Sequence, residues 1–155
     1  MTGMDRPHVY FVAMVVMLLF AGCASPIKPY ARVLPDNLEI VSSTESVDTS
    51  LDIYRLEKQC EVTYLGTMTV DRETVSVGIE PGKPAYLVIG FSSSSFWGSS
   101  SSYINYDFTL LPRKGYRYRV RVSYADAIYN VIVDEIDPKA GNTREMSENE
   151  LQQCG

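Results

Sequence analysis

The chain has 155 residues, 14 basic against 19 acidic side chains for a net charge of −5, and one histidine. That length suits one domain with a short extra segment. The acidic balance gives no field for nucleic acid, and the apolar content is too high for a disordered chain.

Val9 to Phe20 is an apolar run of twelve residues, closed by Ala21-Gly22-Cys23. Twelve residues are too few to cross a bilayer as a helix, which takes about 20. A short apolar core before small residues is the pattern of a cleaved export signal. Phe20-Ala21-Gly22-Cys23 resembles the lipobox of bacterial lipoproteins, whose usual form is Leu-(Ala/Ser)-(Gly/Ala)-Cys. The resemblance implies a diacylglyceryl group on the Cys23 thiol, cleavage just before it and acylation of the new amino terminus. Phe20 stands where leucine is commoner, and Arg6 is offset by Asp5. Each buried methylene contributes about 0.8 kcal/mol, so two or more chains hold firmly. Ala24 and Ser25 follow the cysteine, not aspartate. In that family this implies the outer membrane, facing the periplasm, with inner membrane and cell surface as alternatives. The competing readings are a plain secretory signal with Cys23 unmodified and, disfavoured by Ser25, Pro26 and Lys28, an uncleaved membrane helix.

With residues 1–22 as the leader, 133 residues remain and His8 is lost. A chain without histidine has no Ser-His-Asp or Cys-His catalysis and no His-ligated zinc or haem. No catalytic residue, metal or cofactor is expected. Cys60 and Cys154 remain, and in an oxidising compartment they suggest one disulfide. It would close a loop of about 95 residues, worth roughly 4–5 kcal/mol in the chain-entropy model. Two free thiols are the alternative.

Residues 23–50 read as an extended tether. Pro26, Pro29 and Pro35 fix the backbone, and Leu38 to Val41 is a candidate short strand. The domain proper is expected over 51–155. Leu51 to Leu56 reads as strand, with a short helix as the alternative. From Cys60 to Val70, Val62, Tyr64, Gly66, Met68 and Val70 share one face, and Gly66 suggests a bulge or a close backbone approach. After a turn at Asp71-Arg72, Glu73 to Ile79 alternates again. Glu80 to Pro84 is a turn, and Ala85 to Phe91 is apolar enough for a strand covered on both faces.

Ser92 to Ser102 is low in complexity: four serines, Phe96-Trp97-Gly98, then four more. It reads as a long hairpin loop whose aromatic tip either folds back or touches a partner. Tyr103 to Leu111 is the next strand. From Gly115 to Glu135, Tyr116, Tyr118, Val120, Val122 and Tyr124 share one face, and Arg117, Arg119, Arg121 and Ser123 the other. A two-residue turn near Ala125-Asp126 would set Val120 opposite Val131, Tyr118 opposite Val133 and Arg117 opposite Asp134. Lys139 to Thr143 reads as a loop. Ser147-Glu-Asn-Glu150 marks the start of a helix barely two turns long.

Six to eight short strands with little helix predict an all-β fold, an antiparallel sandwich or small barrel with a short carboxyl-terminal helix. Phe108 to Val122, fifteen residues, resembles the strand–turn–strand pattern of transthyretin-like and other immunoglobulin-like sandwich domains. That resemblance implies a fold, not an activity. The arginines at 117, 119 and 121 are the one basic cluster. They suit acidic lipid, polysaccharide or protein partners, or else form a solvated sheet face. The scattered carboxylates match no calcium loop, and Ser25-Pro-Ile-Lys28 lies in the tether, not on a catalytic helix. The expected function is a non-enzymatic accessory lipoprotein, held by its lipid and docked on an envelope assembly. The alternatives are a ligand or polysaccharide binder that stacks sugars on tyrosines and Trp97, or a small hydrolase inhibitor.

Overall fold

A computed structural model describes residues 27–44, 47–94, 101–125 and 128–152. Two sheets face each other. One contains β1 (Leu38–Ser42), β4 (Thr74–Val77), β7 (Arg117–Ala125), β8 (Ile128–Asp137) and β9 (Asn142–Glu145), in the order β4-β1-β7-β8-β9. The other contains β2 (Asp48–Leu56), β3 (Val62–Val70), β5 (Ala85–Ser94) and β6 (Ser101–Leu110), in the order β3-β2-β5-β6. The predicted sandwich with a short terminal helix is what forms. Its helix, α1 (Glu148–Leu151), is a single turn closed by a Ser147–Glu150 capping box.

Alternation decides which side chains meet between the sheets. Leu38, Ile40, Val75, Val77, Tyr118, Val120 and Val122 come from one sheet, and Leu51, Ile53, Leu87, Ile89, Phe91, Phe108 and Leu110 from the other. β5 is also covered on its outward side. A methyl group at Gly90 would lie 2.7 Å from the Tyr103 hydroxyl, so that tyrosine roofs the strand.

The terminal helix is one turn where two were expected, and the bulge at Leu65 turns Tyr64 away from the face it was expected to share with Gly66 and Met68. Four further departures concern pairing and boundaries. The described residues form nine strands, one above the predicted range, because Asn142–Glu145 pairs with β8 where a loop was expected. β1 runs parallel to β7 in an otherwise antiparallel sandwich. The β7–β8 hairpin pairs Val120 with Val133, Val122 with Val131 and Arg119 with Asp134. That is a slip of two from the expected register, and a slip of two keeps every side chain on its face. The fourth departure concerns the expected tether. β1 is buried mid-sheet, and the expected boundary at residue 51 falls inside β2.

The segment before β1 is a strap. Tyr30 N–H donates to Thr67 O at 2.9 Å, and Thr67 N–H donates to Lys28 O at 2.8 Å, which sews residues 28–30 parallel onto the β3 edge. Tyr30 Oη then donates to Gly78 O at 2.9 Å, beyond β4 in the other sheet. Asn37 closes the crossing: its Nδ2 donates to Ile79 O at 2.9 Å, and its Oδ1 accepts from Ile79 N–H at 2.8 Å. The strap needs two glycines. At Gly66 (φ 153°) an added Cβ would lie 2.7 Å from Tyr30 Cα, and at Gly78 it would lie 2.5 Å from Leu34 O. Gly66 also adjoins the bulge that leaves Leu65 unpaired opposite Ile53 and Tyr54. Both features anticipated at that glycine therefore occur together.

Candidate functional site

The outward face of the β3-β2-β5-β6 sheet carries a row of tyrosines. Tyr54 pairs across strands with Tyr64 on one side and Tyr86 on the other. Ring centroids are 5.2 and 5.7 Å apart, with tilts of 50° and 58°, so the rings interlock edge to face. Tyr103, 59% exposed, stands further along on β6. Polar groups flank the row. Tyr86 Oη donates to Asp107 Oδ2 at 3.0 Å, while Thr67 donates to Asp52 and hydrogen-bonds Tyr64. Burial, then the Asp52 carboxylate and the Tyr64 and Tyr103 phenols, pushes the Tyr54 hydroxyl above its ordinary value. Burial and the bond to Asp107 do the same for Tyr86. The Tyr54 and Tyr86 phenols therefore stay neutral at ordinary pH, beside the Asp52 and Asp107 carboxylates. Such a surface can lie against the apolar faces of sugar rings or peptide side chains while binding their hydroxyl or amide groups.

The arginine stripe has a different fate. Arg119 Nε donates to Glu39 Oε2 at 2.7 Å, and Arg121 holds Asp134 through Nε at 2.7 Å and Nη2 at 3.1 Å. Arg117 is exposed at the start of β7. Two of the three cations are thus neutralised within their own sheet, by carboxylates on both neighbouring strands.

At the β8–β9 end, Glu135 is buried, with its side chain 5% exposed. Its Oε1 accepts from Arg113 and Arg144, each at 3.1 Å, and its Oε2 accepts from Tyr118 Oη at 3.1 Å. Arg113 N–H in turn donates to Tyr118 Oη at 2.8 Å, and the Arg113 guanidinium lies 3.8 Å from the centre of the Tyr116 ring. Every oxygen of that carboxylate is engaged. The cluster is built as a lock for the sandwich end and leaves no free base.

Cys23, Cys154, Phe96 and Trp97 lie outside the described residues, so the lipidation, the Cys60–Cys154 pairing and the aromatic tip are not placed here. Among the described residues no group of three or more His, Cys, Asp or Glu could hold a metal ion, and no helix is long and apolar enough to cross a membrane. The tyrosine row was the least visible feature in sequence. Its members lie on four strands, and only the register brings them together. The expected strand assignments put Tyr54, Tyr64, Tyr86 and Tyr103 on candidate strands, but not on one face.

No protein-family model matches the chain, and no curated protein matches it. Solved structures similar to it include sea bream transthyretin in complex with thyroxine, 13% identical with a TM-score of 0.40, the match covering 62% of this chain and 91% of that one. Transthyretin from Sparus aurata is 12% identical with a TM-score of 0.39, the match covering 71% of this chain and 96% of that one.

Proposed function

We propose that the chain is a non-enzymatic lipoprotein, held on the periplasmic face of the outer membrane by acylated Cys23, whose sandwich docks onto an envelope protein assembly. The strap is the observation that carries this reading. Because residues 28–30 are bonded to β3, only residues 24–27 separate the folded part from Cys23. Four residues reach at most about 14 Å. An acylated Cys23 would therefore seat the domain on the leaflet itself, where a partner in the same membrane meets it. The absence of histidine after residue 8 and the ion-paired state of Asp134 and Glu135 favour binding over catalysis. A Cys60–Cys154 disulfide belongs to the same reading and would pin the end of the chain beyond α1.

Two measurements test it. Mass spectrometry of the mature amino terminus should find three acyl groups on Cys23, and an intact leader or a free thiol there refutes the anchor. Photo-crosslinking from Tyr103 or Arg117 in intact envelopes should capture one defined envelope protein, with capture reduced in a variant lacking Phe96 and Trp97. Adducts spread over many proteins would remove the docking role.

The tyrosine row favours a second reading, a polysaccharide binder. Titration calorimetry with soluble cell-wall fragments should then show heat that disappears in Tyr64→Ala. Equal heats in the two proteins would dismiss it.

A further inference from the structure

Where the strap crosses from β3 towards the β4 side, it leaves a cavity of about 330 Å³ beneath it. Val33 and Leu34 of the strap, Ile53 and Leu65 at the bulge, and Ile79 and Ala85 at the sandwich end form its apolar walls. That volume is at the small end of ligand pockets, which run about 300–1,000 Å³, and suits one acyl chain better than two. The apolar surface continues outside: Val33 is 81% exposed and its strap neighbour Ile27 is 76% exposed.

The rim is charged, with an excess of positive groups. Lys28, Arg55 and Lys83 stand there with Glu80, and Glu57 pairs with Arg55 beside them. Lys83 bonds Glu80 at 2.8 Å and Arg55 bonds Glu57 at 2.5 Å, but all four side chains are between 43% and 57% exposed. Exposed pairs of this kind hold weakly and exchange partners readily. An anion at the mouth would gain from Lys28 and Lys83 together without stranding a buried charge.

The geometry points to this cavity as a binding site for a single-chain amphiphile with an anionic head, its chain under the strap and its carboxylate or phosphate between Lys28 and Lys83. The fatty acid and the lysophospholipid share that chemistry. The site does not depend on an anchor at Cys23, because every group that forms it lies between residues 28 and 85.

The test uses the full chain in its own membranes, with two diazirine-bearing probes: palmitic acid and a palmitoyl lysophospholipid. Photo-adducts should map to residues 28–34 and 79–85 and be competed by the unlabelled compound. The probe competed at lower concentration identifies the physiological head group. Lys28→Glu with Lys83→Glu should cut capture of the anionic probes about tenfold, the loss of roughly one charge-assisted contact, while a diazirine hexadecanol probe is captured as before. Leu65→Arg, which places a charge in the cavity, should abolish capture of all three, with the thermal transition monitored to show that each variant is folded. Adducts scattered over the surface, or undiminished capture in folded Leu65→Arg, would overturn the proposal. So would a cavity adduct whose acyl chain is still bonded to Cys23, because the occupant would then be the chain's own lipid.

Discussion

Gly66→Ala isolates the strap. The new methyl would lie 2.7 Å from both Tyr30 N and Tyr30 Cα and 2.9 Å from the Pro29 carbonyl carbon, all backbone atoms, so side-chain rotation cannot relieve the clash. The strap must then leave β3. Its departure breaks the two backbone bonds at Thr67 and the Tyr30–Gly78 bond, each worth about 1 kcal/mol net. The positive φ adds about 1 kcal/mol for alanine. The expected loss is about 3–5 kcal/mol, a large share of the roughly 5–15 kcal/mol that holds such a domain together. Urea unfolding followed by circular dichroism should show the midpoint fall at nearly constant slope. Trypsin should cut faster after Arg32, which is exposed on the strap, once the backbone is no longer held at Thr67 and Gly78. Gly82→Ala is the control: its φ is also positive, at 81°, but a methyl there meets nothing within 4 Å. It should cost about 1 kcal/mol and leave the rate of cutting at Arg32 unchanged. A Gly66→Ala protein no less stable than Gly82→Ala, with no faster cutting at Arg32, would refute the strap as a structural element.

Other perturbations have defined outcomes. Tyr118→Phe strips a donor from buried Glu135 and an acceptor from Arg113 N–H, and thermal unfolding should report a loss of about 2–4 kcal/mol. Burial, only partly offset by the Arg113 N–H, raises the Tyr118 hydroxyl to about 12. Its contribution is therefore complete below pH 10 and fades as pH rises towards 12, and the alkaline limb of a stability–pH curve should be shallower in Tyr118→Phe. The Arg144 guanidinium and the Ser147 cap hold the Glu150 carboxyl at about 2, below its ordinary 4.5. Stability from that group is present above pH 4.5 and lost as pH falls towards 2, and Arg144→Gln should flatten the acid limb. Non-reducing mass spectrometry should find Cys60 and Cys154 in one linked peptide, and Cys154→Ser should lower the urea midpoint.

Much of the sandwich was legible because strand alternation is a local signal. Val120 and Val122, or Val75 and Val77, declare an inward face without reference to any partner. Pairing is not local. The β7–β8 register slipped by two because either choice buries the same valines, and the turn lacks a glycine to fix it. Residues 28–37 looked like a tether because prolines and polar groups dominate them. Their order comes from distant acceptors, Thr67 and Gly78, and from two glycines that leave room for the backbone. In sequence the arginine stripe reads either as a partner site or as a solvated sheet face. Its neutralisation of Arg119 depends on Glu39, 80 positions away, which only the parallel β1–β7 pairing brings near.

That parallel pairing also bears on how the molecule comes into being. β1 precedes every other strand in the chain, yet its place between β4 and β7 does not exist until residues near 120 have been made. Closing so long a loop is entropically costly and slow, and no early subset of strands can complete the five-stranded sheet without it. The five-stranded sheet therefore stays open until β7 is available, so its closure comes late relative to synthesis.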